Sequence, residues 1–167
     1  QVISLDAETE TLVFDTTLDW HETHRLLKTF FPTGVLSENA MHEIQFGYVE
    51  RPAHESRMFD KERFEVVNHR WTALADGSHG CAVLNDCKYG VSAREGEIGL
   101  SLMVAATSPA LRTDQGEHHF RYAFTGWEGK FDAGSLTRQG LAFNVPVETA
   151  KGCAGDYSFC AVDAGNV

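Results

Sequence analysis

Short apolar runs broken by turn residues set the pattern of this chain, and almost nowhere does an amphipathic stretch of helical length appear. Leu12-Val13-Phe14 and the residues through Leu18 are rich in β-formers. Arg25-Leu26-Leu27-Lys28-Thr29-Phe30-Phe31 follows after the polar link His21-Glu22-Thr23-His24. Two such runs joined by a short polar link predict a hairpin. Between 40 and 49, Ile44, Phe46 and Tyr48 alternate with Glu43, Gln45 and Gly47, which predicts one half-buried strand. A polar loop over 50–62, with Arg51, Pro52 and His54, separates it from strand candidates at 64–71, 81–84, 98–106 and 120–124. Only 135–143 has a helical look. With no internal repeat and no linker, the simplest expectation is an all-β fold, an antiparallel β-sandwich with one short helix.

A length of 167 residues suits one domain, and no apolar run approaches the ~18 residues of a membrane span. A formal charge of −10 with scattered basic residues argues against nucleic acid and anionic membranes as partners. The start, Gln1-Val2-Ile3, has no Met and no signal-peptide blocks, and neither terminus carries a clear capping element. These ends predict a single β-sandwich segment over 1–167, excised from a larger chain. Cys81, Cys87, Cys153 and Cys160 are spaced neither as a metal ribbon nor as a disulfide framework, so reduced, mostly buried thiols are expected. Together with the lack of any N-x-Ser/Thr sequon, this points to the cytoplasm.

Candidate chemistry is sparse. His21 and His24, or His118 and His119, would need further convergent ligands to hold zinc, and adjacent residues of a strand point to opposite faces. Polar histidines at turns and sheet surfaces are the simpler reading. Asp19, Glu22, Glu43, Glu50, Asp60, Glu65 and Asp86 are expected to be solvated or paired with Arg or Lys, and no spacing marks a glycosidase pair. Trp20, Trp71, Trp127 and Tyr89 have faces suited to a sugar ring, although aromatics in a sandwich more often fill its core. Asn85-Asp86-Cys87-Lys88-Tyr89-Gly90 packs two amide or carboxylate groups, a cation, a phenol and a turn glycine into one loop, where binding residues tend to sit.

At that string the chain resembles a known family. Leu84-Asn85-Asp86-Cys87-Lys88-Tyr89-Gly90 is similar to the hallmark of class II α-mannosidases of the cytosolic and bacterial branch, glycoside hydrolase family 38. Leu18-Asp19-Trp20 with His24-Arg25-Leu26-Leu27-Lys28, Glu43-Ile44-Gln45-Phe46-Gly47, Glu50-Arg51-Pro52 with His54, and Asp114-Gln115-Gly116-Glu117-His118 match in the same order. The collinear resemblance spans roughly 11–146. Two positions depart from it: Val104 stands where relatives usually carry Arg, and Phe59 where they often have Trp. Past Pro146 the resemblance thins.

The resemblance implies a C-terminal β-domain of the super-sandwich, galactose-mutarotase-like kind, attached to an α/β barrel that lies outside these residues. It implies a parent that hydrolyses α-mannosides in oligosaccharides with retention, using a zinc ion held by the barrel. In that reading the chain has no catalytic residue and no cofactor of its own. It supports the barrel and lines part of the substrate cleft through Asn85, Asp86, Lys88, Tyr89, Arg51 and His54, which contact mannose-containing oligosaccharides or hold the interdomain register. The alternatives are an autonomous carbohydrate-binding module and a purely structural domain that forms homo-oligomers.

Overall fold

The computed structural model describes residues 1–5, 9–63 and 65–149, together with 151, 152, 155, 158 and 161. The first strands are β1 (Val2–Leu5), β2 (Thr11–Trp20), β3 (Leu26–Pro32), β4 (Asn39–Ile44), β5 (Gly47–Pro52) and β6 (Val66–Val67). They are followed by β7 (Trp71–Ala75), β8 (His79–Asn85), β9 (Gly90–Arg94), β10 (Glu97–Val104) and β11 (Gly116–Glu128), then a helix, α1 (Ala133–Asn144). A seven-stranded sheet A runs β1-β2-β11-β8-β7-β4-β5, and a four-stranded sheet B runs β3-β10-β9-β6. Every pairing is antiparallel.

Period-two alternation divides the apolar residues of sheet A between two cores. Phe14, Leu18, Phe120, Tyr122, Cys81, Val83 and Leu74 face sheet B and meet Phe31, Ile98, Leu100, Val91 and Ala93. Aromatic pairs tighten this layer: Phe14 stacks on Tyr122 at 4.9 Å between ring centroids, and Phe31 on Phe124 at 5.3 Å. Ala73, Ala82, Leu84, Ala123 and Trp71 face the other way and pack with Leu136 and Phe143 of α1. The centre of sheet A is therefore buried on both sides, which is why β8 reads as an unbroken apolar run. Asp132 starts the helix by accepting the Gly134 N–H at 2.9 Å. Gly140 lets it lie close, since a Cβ there would stand 3.3 Å from both Arg70 Cβ and Trp71 Cδ1.

Three local expectations change. β2 and β3 are not a hairpin: β2 pairs with β1 and β11, β3 pairs with β10, and the link between them arches from one sheet to the other. His24 takes a left-handed backbone (φ 55°) in that arch and its N–H donates to Ala105 O at 2.8 Å. The stretch 40–49 is a turn between two strands, with Ile44 paired to Gly47 and a fully exposed, left-handed Phe46 (φ 68°) at the tip. The strand expected at 64–71 shrinks to β6, and Trp71 already belongs to β7; Phe64 lies outside the described residues. Among the described residues no helix is long and apolar enough to cross a membrane.

Candidate functional site

The 85–90 segment joins β8 of sheet A to β9 of sheet B and closes one end of the sandwich. Its first half is tied inward. Asn85, fully buried at the end of β8, donates through Nδ2 to Asn68 Oδ1 (2.9 Å) and His69 O (3.1 Å). Its Oδ1 accepts the Lys88 N–H at 2.8 Å, which fixes the turn. Its backbone N–H donates to Arg70 O at 3.0 Å, and its carbonyl accepts from Asn144 Nδ2 of α1 at 3.0 Å. Asp86 Oδ2 accepts the Arg121 N–H at 2.9 Å, with Arg121 Nε 3.7 Å away. Desolvation, then the Asp86 carboxylate, pushes the Cys87 thiol up to about 11, so this exposed cysteine is a neutral thiol at physiological pH.

The second half faces out. Tyr89 is exposed and its ring stacks on His69 (5.9 Å, 22°), while its carbonyl accepts from both the backbone and the side chain of Asn68. Lys88 folds over the mouth of the core, with Nζ 4.4 Å from the Phe120 ring centre and 3.6 Å from Met103 Sδ. The ammonium thus meets a ring face and a thioether rather than a carboxylate. Beside the exposed, neutral Cys87 thiol, Lys88 offers a ligand a charge and Tyr89 an exposed ring.

Sequence reasoning missed the support behind the loop. Glu43, 2% exposed, forms a bidentate pair with Arg70, with Arg70 Nη2 at 2.5 Å from Oε1, and also accepts the Arg70 backbone N–H at 2.8 Å. The segment 68–70 is therefore clamped between Glu43 on one side and Asn85 on the other. The signal available in the sequence was the row of polar residues Asn68-His69-Arg70 set directly before Trp71. Beneath it, His42 is buried against Thr72 Oγ1 (3.1 Å); desolvation, then the charge of Arg51, lowers its pKa to about 3, which keeps the ring neutral.

Arg51 and His54 are not drawn into the loop. Arg51 Nη1 donates to Val67 O at 3.2 Å, and Val67 pairs with Gly90, so Arg51 stands on the loop's flank. His54 precedes the 3-10 turn Met58–Arg63 and faces it: its Nδ1 accepts the Ser56 N–H (3.3 Å) and lies 3.9 Å from Asp60 Oδ2. The acidic residues are largely spoken for, Glu65 by Lys28, Asp60 by Arg57 and Asp19 by His21. Among the described residues no three His, Cys, Asp or Glu side chains converge to hold a metal. Of the cysteines, Cys81 is buried and Cys87 exposed; Cys153 and Cys160 lie outside the described residues.

The tryptophans do not form a sugar platform. Trp20 and Trp71 are core residues, and Trp127 lies flat on Gly80, where a Cβ would stand 2.3 Å from its ring. A cavity of about 450 Å³ lies where β2 and β10 end and β11 begins, lined by His21, Thr23, Ala106, Thr107, Arg112 and Gln115, and no residue of 85–90 lines it. Val104 is exposed at the end of β10, and its N–H donates to Asp114 Oδ2 at 3.2 Å. Phe59, half exposed, carries the Arg57 guanidinium 4.7 Å from its ring centre.

A family model described as the glycosyl hydrolases family 38 C-terminal domain matches residues 1–112 of the chain. The chain belongs to that family. Alpha-mannosidase 2C1 of Homo sapiens is 40% identical over 147 residues, covering 88% of this chain and 14% of that protein. Alpha-mannosidase G of Dictyostelium discoideum is 41% identical over 131 residues, covering 78% of this chain and 12% of its own length. A crystal structure of an alpha-mannosidase from Enterococcus faecalis V583 superposes with a TM-score of 0.77 at 18% identity, over 86% of this chain and 17% of that one. At that identity the likeness establishes the fold. The family 38 C-terminal domain is not the family's catalytic domain, and the chain spans only about one-seventh of the curated relatives it matches.

Proposed function

We propose that this domain is part of a longer, retaining α-mannosidase and that its 85–90 end faces the parent's catalytic barrel. The observation that carries the reading is the agreement of the relatives: human, slime-mould and mouse alpha-mannosidases share 37–41% identity with the chain over most of its length, and each extends far beyond it. The frame of buried Glu43, Asn68 and Asn85, joined by Arg70, gives that end a rigid base. Lys88 and Tyr89 present a cation and a ring toward mannose-containing oligosaccharides or toward the barrel. Arg51 and His54 support the flank. The nucleophile, the acid/base and the zinc ion belong to the barrel, where the metal helps bind and distort the sugar. The cytoplasm is the location that fits the reduced cysteines of the described residues and the absence of glycosylation sequons.

The test uses the full-length parent and an aryl α-mannoside. Turnover with retained anomeric configuration, lost on chelation and restored by zinc, is the expected result, together with no turnover by the 167-residue chain. An inverted product, or turnover by the isolated chain that survives mock-purification controls, overturns the reading.

A further inference from the structure

The two sides of the sandwich are finished differently. Phe14 of β2 meets Phe31 of β3 edge to face, 5.6 Å between ring centres, so β3, the edge of sheet B, lies beneath β2, and β1 overhangs it. Neighbouring residues of a strand point to opposite faces. Val2, Ile3 and Leu5 are 67%, 56% and 64% exposed, so neither face of β1 is covered. β1 carries no charge and no Pro, and its pairing with β2 runs without a bulge. β3 is also a sheet edge, and it exposes Leu26 and Phe30.

The opposite side shows the devices by which proteins blunt an edge. β5 carries Glu50 and Arg51 and ends at Pro52, and β6 is two residues long, its Val67 carbonyl occupied by Arg51 Nη1. One side is protected against strand addition, whereas on the other β3 carries Lys28 and ends at Pro32 but β1 offers a bare, uncharged edge with apolar side chains.

We infer that the β1 and β3 side receives an apolar β-segment from the part of the parent chain outside these residues. The segment continues sheet A beyond β1 and covers the inner face that sheet B leaves open. Main-chain hydrogen bonds supply the attachment, and alternate side chains pack against Val2, Ile3 and Leu5. This rests on the reading that the chain is part of a longer enzyme, and the relatives provide the material, since the matched region is 14% of human alpha-mannosidase 2C1. A second copy of this chain is a poor occupant. A four-residue strand is only ~13 Å long, and its self-pairing falls far short of the ~1,200 Å² of a stable interface.

Hydrogen exchange on the full-length parent tests the assignment without an activity assay, so a parent with another activity leaves it intact. The β1 amides that point away from β2 are expected to exchange roughly tenfold or more slowly than the outward amides of β5 in the same sample. Ile3→Lys in the parent should restore fast exchange at β1, while a cooperative unfolding transition shows that the rest remains folded. Equally fast exchange at β1 and β5 in the unmodified parent overturns the proposal. So does a concentration-dependent dimer of the isolated chain that protects β1, because a second copy then takes the edge.

Discussion

The two halves of the 85–90 loop differ in what they contact. Asn85 spends its polar groups on the protein itself, on 68–70, the Lys88 N–H and the end of α1, and Asp86 commits its Oδ2 and backbone N–H to the Arg121 backbone. Lys88 and Tyr89, two and three residues later, sit at the rim with a ring face, a thioether and an imidazole for company. The same string of turn-forming polar residues thus contains a fastening and a display, and residue type alone does not separate them. Burial does. A buried amide or carboxylate without partners is costly, so the inward residues are committed by their surroundings to structure, whereas the outward ones are free to act on something else.

The sharpest way to break that comparison is to remove the charged partner of a buried carboxylate from the frame behind the loop. Arg70→Ala strands the Glu43 carboxylate, which is 2% exposed, without its countercharge. Losing one member of a buried pair costs about 3–5 kcal/mol, and denaturant unfolding should show a fall of that order. Replacing both residues together by apolar ones, Glu43→Leu with Arg70→Met, should recover much of the loss. A small effect of Arg70→Ala alone would mean that solvent reaches Glu43 and that the frame is not rigid.

The second test uses pH. His42 is held neutral in the fold, with its pKa lowered from 6.5 to about 3 by desolvation and then by Arg51. Below pH 6.5 the unfolded chain binds a proton that the folded chain refuses, so stability falls as pH drops toward 3. Each unit of that window is worth about 1.4 kcal/mol, and the accumulated loss reaches a few kcal/mol. Asp60 and Asp76 have lowered carboxyl pKa values, so their contribution is present at neutral pH and is lost only as pH falls below the ordinary 3.8. Of these three groups, only His42 contributes between pH 6.5 and 4.5. Urea midpoints across that interval should slope in the wild type and flatten in His42→Gln; a flat wild-type profile would place His42 in a wetter site than the geometry gives.

Much of the fold was legible because the strongest strands carry their own signal. β8, β10 and β11 are apolar and β-rich over their whole buried length, and α1 stands out at 135–143. What the sequence hid was partnership. The β2–β3 link looks like a hairpin because local pattern does not say which sheet a strand joins, and β11, distant along the chain, takes the place beside β2. Gln45 and Phe46 do not advertise a turn, since Phe46 holds a left-handed backbone that Gly or Asn would signal. At the site, the string 85–90 was recognisable as unusual, but the split between Asn85 and Lys88 depends on Asn68, Arg121 and Asn144, which reach the loop through space.

The smallest expected effect on the fold is also the one that decides the functional half of the comparison. Lys88→Met keeps an apolar stem of similar length over Phe120 and beside Met103 while removing the charge. The lost cation–π contact is worth about 0.5–1 kcal/mol at an accessible site, partly returned by sulfur–aromatic contact, so unfolding should shift very little. If the ammonium serves substrate or the barrel's register in the parent, a charge-assisted hydrogen bond of about 1.5–3 kcal/mol disappears with it. kcat/KM toward a mannose oligosaccharide should then fall roughly tenfold or more, and Lys88→Arg should restore part of it. A fall in stability with kinetics intact would mark Lys88 as a lid on the core. Unchanged stability together with unchanged kinetics would leave the outward half of the loop without a role in catalysis.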